Sequence, residues 1–256
     1  MRFPKILHHI LVLALIFTFY VPQTFAATEV KIKPSDGAAG DMFGDGQSVG
    51  IDGNYSIVGA QNNDDNGSNS GSAYIFYKSG VFTWTEQKKL LPSDGAETDL
   101  FGAAVSISGN YAIVGAYQDD DLGGNAGSAY IFYKDEGGAN NWGQIKKLMA
   151  SDGEGGDFFG LSVSINGDYA IVGAFGESSV APQSGSAYVF YKDQGGAGNW
   201  GQVAKIKASD AADGDYFGYS VVISGDYAVA GAYGNDDNGD HSGSASSQEL
   251  LQAIQW

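Results

Sequence analysis

One interval limits what this chain can fold into. Phe43-Gly44, Phe101-Gly102, Phe159-Gly160 and Phe217-Gly218 follow one another every 58 residues, and Trp84, Trp142 and Trp200 keep the same step. Ser35-Asp36, Ser93-Asp94, Ser151-Asp152 and Ser209-Asp210 keep it too. The chain is therefore built from a recurring unit with several fixed landmarks. Inside one unit, turn residues separate four extended runs, 161–165, 168–174, 185–192 and about 202–208. Asn166-Gly167 links the first two, a pair that tolerates the positive φ of a tight hairpin turn.

The second and third runs place apolar groups on both pleat faces, through Tyr169, Ile171 and Val172 and then Ala187, Tyr188, Val189 and Phe190. Such strands need cover on both sides. The fourth alternates weakly through Val203, Lys205, Ile206 and Lys207, as a half-exposed outer strand does. A four-stranded sheet packed face to face on its own repeats is a propeller blade, and the Gly-Ala pair closing the second run permits close approach. The expected fold is all-β: a β-propeller of about four four-stranded blades, incomplete or open, with units near 43–92, 101–150, 159–208 and 217–245. A β-solenoid is the alternative, although its rungs are usually shorter than this unit. Residues 30–33 read as an orphan fourth strand, of the kind that joins C-terminal strands to complete a ring. In the last unit the YIFYK or YVFYK of earlier units gives way after Ala245 to Ser246-Ser247-Gln248-Glu249-Leu250-Leu251. Residues 246–256 thus read as a divergent tail, either a cap on an open edge or the remnant of a reading-frame change; the second is preferred because the break falls inside a strand.

Arg2 and Lys5, the apolar run 10–19 and Thr24-Phe25-Ala26-Ala27 predict a signal peptide over residues 1–26, cut after Ala26. The expected location is secreted, periplasmic or cell-surface, with no membrane insertion after cleavage; an uncleaved anchor is the alternative. Loss of Arg2 and Lys5 takes the formal charge from −17 to −19, which disfavours nucleic acid and anionic lipid as partners. The absence of cysteine leaves stability to the core, the strand ladders or bound ions.

The order FG, short strand, VGA resembles the FG-GAP repeat of the integrin α-subunit propeller and of many exported bacterial proteins, over residues 35 to about 245. The resemblance implies a propeller and leaves activity open, since the repeat serves adhesion receptors, surface proteins and domains beside enzymes. Family blades that bind Ca²⁺ carry a DxNxDG-like loop between the FG and GAP strands. Here that link is Ser108-Gly109-Asn110, Asn166-Gly167-Asp168 or Ser224-Gly225-Asp226, with Asp52-Gly53-Asn54 in the first unit, and the ligand series is missing.

Acid gathers instead between VGA and GSAY. Asp64, Asp65 and Asn66, then Asp119, Asp120 and Asp121, then Asp236, Asp237 and Asp240 are the candidate Ca²⁺ ligands, because clustered Asp and Asn oxygens beside Gly suit a hard cation. The same residues also make ordinary solvated turns. The third unit, residues 176–182, lacks the cluster. The pairs Asp36/Asp41, Asp94/Asp99, Asp152/Asp157 and Asp210/Asp215 recur before each FG and read as Asx-type turns. The three recurring tryptophans read as packing anchors rather than sugar platforms. His241 is the one histidine after the signal segment, and no phosphate loop, HExxH or nucleophile elbow is present. The expected function is a non-catalytic extracellular or cell-surface binding and adhesion scaffold that recognises a protein or carbohydrate through blade loops and self-associates through an open blade edge. The alternatives are a glycan-active hydrolase or lyase, whose acids meet only in three dimensions, and a truncated inactive repeat product.

Overall fold

Gly53, Gly109, Gly167 and Gly225 take φ between 55 and 58°, closing the two-residue hairpins that the repeat foreshadows. The computed structural model describes residues 29–250, so the signal peptide and the end of the tail lie outside the described residues. The first blade is a meander of β1 (Val49–Asp52), β2 (Tyr55–Ala60), β3 (Ser72–Gly80) and β4 (Thr83–Leu90). The second is β5 (Ala104–Ser108), β6 (Tyr111–Ala116), β7 (Ser128–Tyr133) and β8 (Gly143–Leu148), and the third is β9 (Ser162–Asn166), β10 (Tyr169–Ala174), β11 (Ser186–Tyr191) and β12 (Gly201–Ile206). The fourth has three strands, β13 (Phe217–Ser224), β14 (Tyr227–Ala232) and β15 (Ser244–Glu249). The chain thus folds as the blades of a β-propeller, with every strand pairing antiparallel to its sequence neighbour.

The core lies between blades rather than inside any one of them. Ile113, Ile131 and Leu148 of the second blade pack on Val163, Ile165 and Val172 of the third. Ile57, Ile75 and Leu90 meet Val105, Ile107 and Val114 in the same manner one interface earlier. A Cβ on Gly59, Gly115 or Gly173 would overlap the carbonyl of Gly102, Gly160 or Gly218, so the glycine of each VGA admits the FG turn of the following blade.

The two ends depart from expectation. Residues 30–33 do not complete the last blade. Ile32 instead packs on Val58, Ala60, Tyr74 and Phe76, as Leu90 does on Val114, Ala116, Tyr130 and Phe132 one unit later. Among the described residues no strand pairs with the free edge of β15. The first and last sheets share one side-chain hydrogen bond, from Gln47 Nε2 to Tyr219 O at 3.3 Å. The tail also differs from the sequence reading, because residues 246–249 are strand. β15 runs in third-strand register from Ala232↔Ser244 to Tyr227↔Glu249. Leu250 N then donates to Asp226 O at 2.7 Å, as Lys134 N donates to Asn110 O at 2.9 Å in the second blade. Backbone pairing does not depend on side-chain identity, so the strand outlasts the pattern, but its six side chains are all exposed and cover nothing.

Candidate functional site

The loops that gather acid, β2–β3, β6–β7, β10–β11 and β14–β15, lie on one rim together with the blade-to-blade connections. In the second unit they enclose a lysine. Lys147, on β8, projects its ammonium between Asp94 Oδ2 (2.8 Å), Asp119 Oδ2 (2.9 Å) and Asp121 Oδ2 (2.6 Å). Asp119 is buried and also accepts from Tyr130 Oη at 2.8 Å and Ser128 Oγ at 3.0 Å. The Tyr130 ring lies under the ammonium, 5.3 Å from centroid to Nζ. Burial alone would lower the Lys147 pKa, but its hydrogen bonds to Asp121, Asp94 and Asp119 outweigh that and raise it, so the group stays charged. The cation of this loop is supplied by the chain itself.

The arrangement recurs with substitutions. In the first unit Lys89 holds Asp36 at 2.6 Å and Asp65, with Asn63 Oδ1 at 3.3 Å in the place of Asp119. That exchange leaves Ser72 Oγ buried without a partner, where Ser128 has one. In the third unit Lys205 holds Asp152 at 2.7 Å and Glu177 at 2.9 Å, and Glu177 accepts from Ser186 Oγ at 2.7 Å. Sequence reading passed over this unit as lacking an acid cluster. The missed signal was register: Glu177 stands three residues after Ala174, as Asp119 stands three after Ala116.

In the fourth unit Asn235 and Asp237 occupy the positions of Asp119 and Asp121, and Ser246 stands where the tyrosine would be. Asp237 faces Asp210 with, among the described residues, no lysine between them, and hydrogen bonding to that neighbouring carboxylate, reinforced by its charge, raises the Asp237 pKa. Of the other candidate ligands, Asp64 accepts from Asn69 N at 2.8 Å and Asn66 N donates to Ser70 Oγ at 3.1 Å. Asp120 and Asp236 lend backbone carbonyls to Gly123 N and Gly239 N, both at 2.9 Å. Asp240 pairs with exposed His241 at 2.7 Å. Among the described residues no group of three or more acids or histidines is arranged to hold a metal ion. The short β1–β2 type links do not fit the calcium loop of the family either, for Asp52 Oδ2 is taken by Gly109 N at 2.6 Å.

The paired acids before FG divide into two roles. Asp41, Asp99, Asp157 and Asp215 are buried turn caps, accepting from Ala38, Ala96, Glu154 and Ala212 N at 2.7 to 2.9 Å. Their partners Asp36, Asp94 and Asp152 serve the lysines instead. Trp142 and Trp200 are fully buried, stacked edge-on against Tyr55 and Tyr111 of the preceding blades at 5.5 and 5.3 Å, so both are packing anchors.

The aromatic surface lies elsewhere on the rim. Residues just before FG take φ of 55 to 56° in every unit, and their side chains are Met42, Leu100, Phe158 and Tyr216. Residues just after Gly-Ala are Gln61, Tyr117, Phe175 and Tyr233. These two positions turn aromatic across the later units and join into a string: Tyr117–Phe158 at 6.3 Å, Phe158–Phe175 stacked at 4.9 Å, Phe175–Tyr216 at 6.0 Å and Tyr216–Tyr233 stacked at 5.0 Å. Tyr219 joins at 4.6 Å from Tyr233, and both are exposed. Beside the string a cleft of about 480 Å³ is lined by Asp152, Glu154, Asp157, Glu177 and Gln183 among others.

A family model for the FG-GAP repeat matches the chain at residues 27–76, 84–132, 142–190 and 200–246. Each later match begins on or next to an outer strand and runs into the third strand of the following blade. Comparison with curated proteins returns no match.

Proposed function

Because the chain belongs to the FG-GAP repeat family, whose propellers are binding and adhesion-type domains, we propose that it is a non-catalytic extracellular binding scaffold whose rim recognises a neutral, hydroxyl-rich carbohydrate. The aromatic string carries this reading. The lysine-filled loops repeat around the rim and serve the fold, whereas the string from Tyr117 to Tyr233 breaks the repeat, as a recognition surface must. Tyrosine and phenylalanine faces stack on the C–H faces of sugar rings, and the carboxylates and amide of the adjoining cleft accept hydroxyl hydrogen bonds. The acid excess of the chain repels polyanions, which favours uncharged glycans. Export past the inner membrane is part of the proposal and rests on residues 1–26.

The test is a panel of neutral polysaccharides against the purified protein and its Tyr219→Ala and Tyr233→Ala variants. Both side chains are exposed, so neither change should disturb folding. Retention is expected to fall about tenfold or more in each, equivalent to about 1.4 kcal/mol. Release of new reducing ends would move the protein to the hydrolase or lyase class. Binding unaffected by either variant would remove the string from the function.

A further inference from the structure

The two ends of the array carry the halves of the interface that each internal pair of blades makes. Internally, a following blade places its FG turn on the Gly-Ala end of the blade before it, with Phe101 bridging Gly71 and Phe217 bridging Gly185. It stacks its tryptophan on the preceding hairpin tyrosine and buries an inner-strand pair such as Val105 and Ile107. On the fourth blade the described residues leave these receiving surfaces uncovered. Tyr227, the counterpart of Tyr55 and Tyr111, is 58% exposed. No heavy atom comes within 3.6 Å of a Cβ built on Gly231 or Gly243, where the other blades hold an FG carbonyl. A cavity of about 370 Å³ lies there, bounded by Tyr219, Gly231, Tyr233 and Gly243. On the first blade the matching surfaces are bare, with Val49 and Ile51 exposed to 60% and 68% where Val105 and Ile107 are buried.

Charge completes the match. The fourth unit has the acids of the lysine cage, Asp210 and Asp237, and among the described residues no lysine from an outer strand. Residues 30–33 stand at the outer-strand positions of the repeat but, among the described residues, pair into no sheet of their own chain, and Lys31 stands 58 residues before Lys89. It is exposed and, among the described residues, pairs with no carboxylate. In the third blade the outer strand pairs as Ala187↔Ile206, Tyr188↔Lys205 and Val189↔Ala204. The same register on β15 sets Ile32 opposite Ala245, Lys31 opposite Ser246 and Val30 opposite Ser247.

We propose that two copies of this chain dock head to tail, each laying its residues 30–33 on the free edge of the other's β15 and its first blade on the other's fourth, to close one eight-bladed ring. The donor strand belongs to a second copy because each chain holds its own Ile32 against its first blade, and between that blade and the fourth the described residues make one side-chain hydrogen bond, Gln47–Tyr219, which opens when the ring forms. The contact joins two different surfaces, and a two-fold axis closes it after two copies, at the upper end of the blade numbers propellers use. The proposal does not need a glycan, but it shares Tyr219 and Tyr233 with the rim, so glycan retention is read only on variants whose mass matches that of the wild type.

Light scattering behind size-exclusion chromatography of the full chain, exported from a bacterial host, is expected to give twice the mass of one chain. Lys31→Glu is expected to weaken association at least tenfold, and Lys31→Glu combined with Asp237→Lys to restore it, with an unchanged strand signal in circular dichroism. Since the chain has no cysteine, Val30→Cys with Ser247→Cys supplies a second readout: oxidation should link two chains, reversibly on reduction. A one-chain mass at every concentration, a disulfide closed within one chain, or a double charge variant that stays monomeric would each overturn the proposal.

Discussion

In the second unit Asp119 and Asp121 surround Lys147; in the fourth, Asn235 and Asp237 hold the same positions and Asp237 faces Asp210, with no lysine between them among the described residues. The loops read alike in sequence and differ in what the outer strand brings to them. Lys147 stands 26 residues after Asp121, beyond the third strand and a Gly-rich turn, so the loop acquires its counter-ion only when the blade is complete. An acid-rich loop in this repeat is therefore one half of a fold-spanning ion pair. In the second unit it ties the connection before a blade to the outer strand of that blade, and in the fourth it is an unfinished joint.

Removing the ammonium tests the contrast most severely. Lys147→Met leaves buried Asp119 with Asp94 and Asp121 and no cation among them, and should cost about 3 kcal/mol, toward the low end for breaking a buried pair because Asp94 and Asp121 are partly exposed. Asp237→Asn in the fourth unit, on the Lys31→Glu background that keeps the chain single, should leave the unfolding midpoint unchanged. Urea unfolding midpoints of the two variants decide it. A Lys147→Met midpoint as little changed as that of Asp237→Asn would mean that the cage is surface decoration in both units.

Landmarks repeated at 58 residues made the blades legible, because a strand covered on both faces must be apolar on both, as Tyr188 and Val189 are. The hairpins were legible from their glycines, and the burial of Trp142 from its recurrence. The cage was not legible. Its members come from a connection, a loop and a strand far apart in sequence, and an exposed-looking Lys on a weakly alternating strand carries no local signal. Nor was the aromatic string, whose members stand at two unrelated positions of each unit and meet only through the blade-to-blade turn. The unpartnered indole N–H of Trp200 has the same origin: Trp142 Nε1 donates to Gln87 Oε1 at 2.9 Å, while the corresponding residue one unit on is Ile145.

Acid separates the units next. Burial pushes the Glu177 carboxyl upward, but hydrogen bonds from Ser179, Ser186 and Lys205 together overcome that and hold its pKa at about 2, below the ordinary 4.5. A carboxyl lowered on folding contributes stability that is present above 4.5 and drains as the pH falls toward 2. Asp99 runs the opposite way: burial lifts its pKa to about 6, so its contribution is present below 3.8 and lost as the pH rises through 6. Glu177→Gln should lose about 2 kcal/mol at neutral pH, with a deficit that narrows steadily from pH 4.5 downward. A deficit that stays constant down to pH 2.5 would remove Glu177 from the cage.

Calcium gives the smallest expected effect and the sharpest reading of the comparison. An ion bound at a hundred times its Kd stabilises by about 2.7 kcal/mol, enough to raise the Tm of a chain this size by ~5 °C or more. With ammonium groups already between the carboxylates of the second unit and beside those of the first and third, millimolar calcium or a chelator should move the wild-type Tm by less than about 2 °C. Lys147→Met opens the same carboxylates to a hard cation, and calcium should return part of the stability that the variant lost. A wild-type shift of about 5 °C would place an ion where the lysines stand or in the fourth unit, and Asp237→Asn separates the two, since it removes the shift only in the second case.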